Sequence, residues 1–228
     1  MAGGDSKNTW IIANWKSNMT IAEALEWVSK VGSEIPKIDN IKVVVCPTFS
    51  ALSEVKKAIQ IGNYPLLVGA QNISPFGVGA YTGEENAQTL SQFIDLAIIG
   101  HSERRENFKE TDEMITNKVN QVVENKITPL VCVQNSETPI PENCKIVAYE
   151  PIFAIGTGNP DTPGNADKIA DVLKERYGQN LAVIYGGSVD SGNVKGFVAQ
   201  ENIAGVLVGK ASLDADEFIK IIAACDKI

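Results

Sequence analysis

Along this chain, short continuous runs of Val, Ile, Leu and Ala alternate with longer stretches whose apolar residues recur every three to four positions. The runs cover residues 10–14, 42–46, 66–70, 96–100, 129–133, 145–149, 182–186 and 205–208. Each has strand length and is apolar throughout rather than at every second position, the pattern of strands buried on both faces. The stretches at 20–33, 50–60, 110–124, 165–177 and 215–227 have helical periodicity, and several open on Thr, Ser or Asp, the residue types that cap helix N-termini. Strands separated by helices imply parallel pairing through right-handed crossovers. Eight such units close into a (β/α)8 barrel, whereas a doubly wound open sheet would carry a glycine-rich dinucleotide turn after its first strand, and none follows residue 14. The expected fold is therefore α/β, a single (β/α)8 barrel domain over residues 1–228.

One unit departs from this rhythm. The stretch QNSETPIPENC at 134–144 carries two prolines and is at or below the ~10 to 12 residues that a full crossover helix requires. The outer helix after the fifth strand is expected to be missing or reduced to a turn. Its loss would uncover the outer faces of strands five and six and offer them to a second subunit contact.

Composition narrows the function. The formal charge of -8 and a sequence pI near 4.8 exclude a nucleic-acid role, because phosphate contacts need clustered Lys and Arg. No apolar run reaches the roughly 18 residues that span a bilayer, and the start MAGGDSKNTW has no signal-peptide core. A soluble, cytoplasmic protein without a membrane partner is expected. Cys46, Cys132, Cys144 and Cys225 form no CxxC pair, and with one histidine in the chain they make no usual zinc set. They read as reduced thiols, and no metal is expected.

In a barrel of this kind chemistry belongs at the C-terminal ends of the strands, where the polar residues of this chain collect. Strand one ends in ANWKSN with Asn14 and Lys16, and strand four ends in GHSERR with the single histidine, His101. Strand six ends in AYEPIFAIGTG with Glu150, and strands seven and eight end in the glycine turns YGGSV and LVGKASL. Taken singly, Lys16 reads as a surface lysine, His101 as a hydrogen-bonded core histidine, Glu150 as a loop carboxylate and the turns as punctuation. What those separate readings leave unexplained is a cation, an imidazole, a carboxylate and two glycine turns on one rim.

The segments NWK, AQN…GAYTGE, GHSERR, AYEPIFAIGTG, YGGSV and LVGKASL, in this order and spacing, resemble those of the triosephosphate isomerase family over nearly the whole chain. The resemblance implies a TIM barrel that interconverts dihydroxyacetone phosphate and D-glyceraldehyde 3-phosphate through an enediolate, with no cofactor. It implies Glu150 as the base, His101 as a neutral electrophile on the carbonyl and Lys16 as the fixed positive charge, with Asn14 positioning Lys16 and Glu103 pairing with it. Phosphate would be held by Asn14, Lys16, Gly156, Gly187, Ser188, Leu207, Gly209 and Lys210. A lid of Pro151, Ile152, Phe153, Ala154, Ile155, Gly156, Thr157 and Gly158 would close over it, with Ile155 and Leu207 clamping the base and Tyr185 and Ser188 latching the lid. The loop 71–84, with Thr82 at its contact point, implies a homodimer, and a larger homo-oligomer stays open.

The chain departs from the family pattern at four places. Phe153 replaces a Trp in the first lid hinge, Pro160 stiffens the second, Lys210 replaces a glycine, and Val133, Gln134 and Asn135 replace Ile-Gly-Glu. The Lys210 side chain is expected to point to solvent. Two other readings stand beside the isomerase: a noncatalytic barrel that binds phosphosugars or a partner, and another phosphosugar-processing barrel enzyme such as a lyase. The first would have lost a reacting residue, and the second would not carry GHSERR together with AYEP. If His101 stays uncharged as the resemblance implies, activity near neutral pH will not follow an imidazole titration, which a pH profile of kcat/KM for wild type and His101→Gln checks.

Overall fold

The computed structural model describes residues 8–154 and 159–225. Its eight strands are β1 (Thr9–Asn14), β2 (Ile41–Cys46), β3 (Leu67–Ala70), β4 (Leu96–Ile99), β5 (Thr128–Val133), β6 (Ile146–Tyr149), β7 (Ala182–Tyr185) and β8 (Ile203–Val208). Every strand pairs in parallel with its sequence neighbour, and β8 returns to β1 to close the barrel. Alternate residues face opposite ways, so one set, including Ile12, Val44, Leu96, Ile98, Leu130, Ile184 and Leu207, fills the interior. The other set, including Ile11, Val43, Val131, Val147 and Val206, packs outward against helix residues such as Trp27, Val28, Val55 and Phe218. Burial on both faces is the physical reason for the uninterrupted apolar runs.

The helices are α1 (Ile21–Glu34), α2 (Leu52–Gly62), α3 (Ala87–Leu90), α4 (Ser102–Asn107), α5 (Asp112–Glu124), α6 (Pro163–Tyr177), α7 (Val194–Val198) and α8 (Ala215–Cys225). Capping fixes several of their starts. Thr20 and Glu23 form a reciprocal capping box on α1, Thr111 caps α5, and Thr162 caps α6 with Pro163 in its first turn. Three expected starts shift accordingly: Glu110 lies outside α5, α6 begins two residues before Asn165, and a 3-10 turn at Phe49–Ala51 precedes α2. Two connections are lighter than the repeat suggests, since α3 has four residues and α7 has five. Strand β8 starts at Ile203, ahead of the expected Gly205. No helix among the described residues is long and apolar enough to cross a membrane.

Residues 134–145 contain no helix, as expected of the β5 to β6 connection. The expectation that strands β5 and β6 are thereby left open is wrong: Val131, Val133 and Val147 are fully buried and Tyr149 nearly so. The connection supplies its own cover. Asn135 accepts the amides of Glu137 and Thr138, the Thr138 hydroxyl accepts the Gln134 amide, and Ile140 and Cys144 pack on the outer core. The end of α6 holds this turn through Tyr177 to the Ile140 amide and Arg176 to the Ser136 carbonyl. Two apolar side chains on a pinned loop cover these strands in place of a helix.

Gly205 is where the closing pair would fail. It stands opposite Trp10 with φ 145°, and a β-carbon there would run into the Trp10 backbone. Gly205→Ala is expected to lower stability by on the order of 3 kcal/mol through overpacking and backbone strain, read as a lower denaturant midpoint in chemical unfolding.

Candidate active site

Asn14 ends β1, buried, and its Oδ1 accepts the Lys16 amide at 3.1 Å. That bond accompanies a left-handed Lys16 backbone, φ 52°, a conformation a lysine adopts only when its surroundings impose it. Gln71, just after β3, donates its amide to the carbonyls of Lys16 (2.8 Å) and Cys46 (2.9 Å), tying three strand ends together. The Lys16 ammonium reaches Glu103 Oε1 at 2.5 Å, across the rim on α4.

His101 is the N-cap of α4, and its Nδ1 accepts the Glu103 amide at 3.2 Å. A hydrogen on Nδ1 would face that N–H, so the neutral ring carries its hydrogen on Nε2. Nε2 lies 3.2 Å from Glu150 Oε1, although the two are not aligned as a hydrogen bond. Glu150, 1% exposed, follows β6; its Oε2 accepts the Ser102 amide at 3.0 Å, while Oε1 has no hydrogen-bond partner. Cys132 on β5 is its neighbour: burial first, and then the Glu150 carboxylate, push the Cys132 thiol well above its ordinary value. A buried, neutral thiol beside the carboxylate adds no competing charge.

These groups meet at a cavity of about 670 Å³ lined by Asn14, Lys16, His101, Gly187, Ser188, Leu207, Gly209 and Lys210 among others. Glu150 lies behind its wall. Gly186 makes room for it, because a β-carbon at that position would sit 2.9 Å from Glu150 Cγ. Lys210 is exposed, as expected, but it lines this cavity and forms no ion pair among the described residues. Ile152–Ala154 form a 3-10 turn in which Ile152 and Phe153 are exposed and Ala154 is buried. The Ser188 hydroxyl donates to the Ala154 carbonyl at 2.8 Å, and the Tyr185 hydroxyl accepts the Asp161 amide at 2.8 Å. Ile155, Gly156, Thr157 and Gly158 lie outside the described residues. Thr82 is exposed on its loop and does not line the cavity.

Residues 9–225 match the family model described as Triosephosphate isomerase. The chain belongs to the triosephosphate isomerase family. The triosephosphate isomerase of Mesomycoplasma hyopneumoniae (strain 232) is 38% identical over 238 residues, covering 93% of this chain and 97% of that protein. Those of Alkaliphilus metalliredigens and Clostridium botulinum (strain Langeland) are 36% and 39% identical over 244 residues, each covering 93% of this chain and 97% of the relative.

Within this triosephosphate isomerase barrel, sequence reasoning brought Asn14, Lys16, His101, Glu103 and Glu150 to one place and left out four residues that hold them. Gln71 stood in a segment quoted for the resemblance without a role. Cys132 was one of four reduced thiols, Asp161 was part of a hinge, and Gly186 was an ordinary turn glycine. Only the closed barrel brings each of them against a strand end distant in sequence. Gly186→Ala is expected to displace Glu150 and lower kcat by about 100-fold, the scale of a 1 Å misplacement, with inorganic phosphate binding unchanged by calorimetry.

Proposed function

We propose that the chain interconverts dihydroxyacetone phosphate and D-glyceraldehyde 3-phosphate through an enediolate, the activity that its family membership carries. One observation supports this reading most directly: Lys16 and His101 come from two different strand ends to one cavity bounded by two glycine turns, with Glu150 from a third strand end 3.2 Å behind the His101 ring. Glu150 takes the proton from one substrate carbon and returns it to the next. Resting on the Ser102 amide behind the cavity wall, it must turn about its side-chain bonds to reach that carbon. His101 offers its Nε2 hydrogen to the carbonyl oxygen, and the Lys16 ammonium offsets the charge that develops there. Asn14 and Glu103 hold Lys16 in place.

The phosphate is bound by the amides of Gly187, Ser188, Gly209 and Lys210, together with Gly156 of the lid. Among the described residues the amides of Gly187, Ser188 and Lys210 have no acceptor, which leaves them available to an anion. The Lys210 ammonium adds charge at the cavity mouth. The segment 151–161 acts as a lid that excludes water from the enediolate, with Leu207 and Ile155 clamping the base and Tyr185 and Ser188 as its latches.

The protein works as a homodimer through the loop 71–84. Phe76 and Tyr81 stack there with ring centroids 4.3 Å apart and are both exposed, an apolar tip suited to a partner subunit around Thr82. Unpaired cysteines at 46, 132, 144 and 225 fit a reducing cytoplasm.

A coupled assay on glyceraldehyde 3-phosphate is expected to show isomerisation by the wild type, and an inactive wild type would defeat the proposal. Glu150→Asp, which withdraws the carboxylate by one methylene, is expected to lower kcat by roughly 100-fold or more with KM little changed. Lys210→Ala is expected to raise KM by about 3- to 10-fold at low salt with kcat retained, the difference fading as ionic strength rises. Light scattering should give twice the chain mass of 24.5 kDa.

A further inference from the structure

Among the described residues three carboxylates are nearly or fully buried: Glu110, Glu150 and Asp161. Glu110 is met by two cations, Lys118 and Arg104. Glu150 is the proposed base. Asp161, the last residue of the proposed lid, has no cation partner among the described residues, and both of its carboxylate oxygens are engaged. Its Oδ2 accepts the Tyr149 hydroxyl at 3.3 Å and the Asn165 amide at 2.7 Å, and its Oδ1 accepts the Thr162 amide at 2.7 Å. Its own backbone N–H donates to the Tyr185 hydroxyl at 2.8 Å.

We propose that Asp161 is a positioning residue for the general base, acting by holding the Tyr149 hydroxyl and so fixing the end of β6 from which Glu150 projects. The proposal rests on the role assigned to Glu150 above. Tyr149 and Glu150 are consecutive, and the Tyr149 ring packs in the outer core while Glu150 reaches His101 and the Ser102 amide. Pinning the far end of that ring fixes the backbone at the base. The Glu150 amide, bonded to the Val133 carbonyl at 2.8 Å, fixes it from the β5 side.

The chemistry of the clamp supports a role beyond packing. Burying a carboxylate with no cation is costly, and a neutral residue would fill the same space at lower cost. The carboxylate is made tolerable by three donors and by the start of the fifteen-residue helix α6, whose N-cap Thr162 and first-turn Asn165 supply two of them. In return the Tyr149 hydroxyl gains a charged acceptor, which makes a stronger bond than a neutral one. Burial, and then the Asp161 charge, push the Tyr149 hydroxyl up to about 12, so it remains a donor throughout the neutral range.

Tyr149→Phe removes one oxygen, leaves the ring in the core and keeps the other Asp161 bonds. Asp161→Asn keeps the volume and removes the charge. Steady-state kinetics on glyceraldehyde 3-phosphate for wild type, both single variants and the double variant test the assignment, with melting temperatures measured alongside. Each single variant is expected to lose about 10-fold in kcat with KM within about 2-fold, since a base slightly out of place slows the proton transfer and leaves phosphate binding intact. The double variant is expected to be no slower than the slower single one, because both changes break the same link. Undiminished kcat in Tyr149→Phe would overturn the proposal, as would losses that multiply in the double variant or a change confined to KM. An inactive wild type would remove the isomerase reading and this inference together, whereas an active wild type with an unaffected Tyr149→Phe removes the inference alone.

Discussion

Closure of eight parallel strands is the constraint on which everything else depends. Because all strands run the same way, their C-terminal ends share one rim, and because β8 pairs with β1, the Lys16 turn comes to lie beside the Gly209 turn. Lys16 Cε would lie 3.7 Å from a β-carbon at Gly209. The Lys16 side chain and the Gly209 turn are therefore neighbours in space, although they stand near opposite ends of the sequence. An open sheet of the same strands would separate them.

On that rim the side chains are held both from their own strand ends and from others. Gln71 holds the Lys16 carbonyl, Glu103 holds the Lys16 ammonium, and the Glu103 amide sets the His101 ring. Beneath α4, buried Lys118 joins Glu110 and Asn72, and Arg104 joins the same carboxylate. Burial lowers the Lys118 ammonium from its ordinary value, and the Glu110 charge opposes that shift. This cluster connects the residue after Gln71 to the residue after Glu103, so the two supports of Lys16 share a foundation.

Most of the frame was legible in the sequence because burial on both faces leaves a plain record: an apolar run with no alternation. The record blurs where another demand intervenes. Gly205 reads as a strand start, yet it sits inside β8, where the Trp10 backbone comes too close for any side chain. Glu110 reads as a helix start because it precedes apolar periodicity, while its charge is spent on a buried cluster and Thr111 does the capping. The β5 to β6 connection was legible as helix-free but not as self-covering, since the packing of Ile140 and Cys144 depends on where α6 ends. At the site, polar strand ends could be read singly. Asp161 and Tyr149 could not be joined, because neither residue's neighbours in sequence reveal that they meet.

Glu150, the proposed base, is held at one oxygen by an amide. The side chain is buried with that oxygen on the Ser102 amide, and its other oxygen lies 3.2 Å from His101 Nε2. A carboxylate tied at both oxygens would be more stable at rest and slower to leave. One tied at neither would wander. In the proposed reaction, a single amide bond at the start of α4 keeps the carboxylate near His101 while its other oxygen takes the proton, and Gly186 leaves room beside its Cγ.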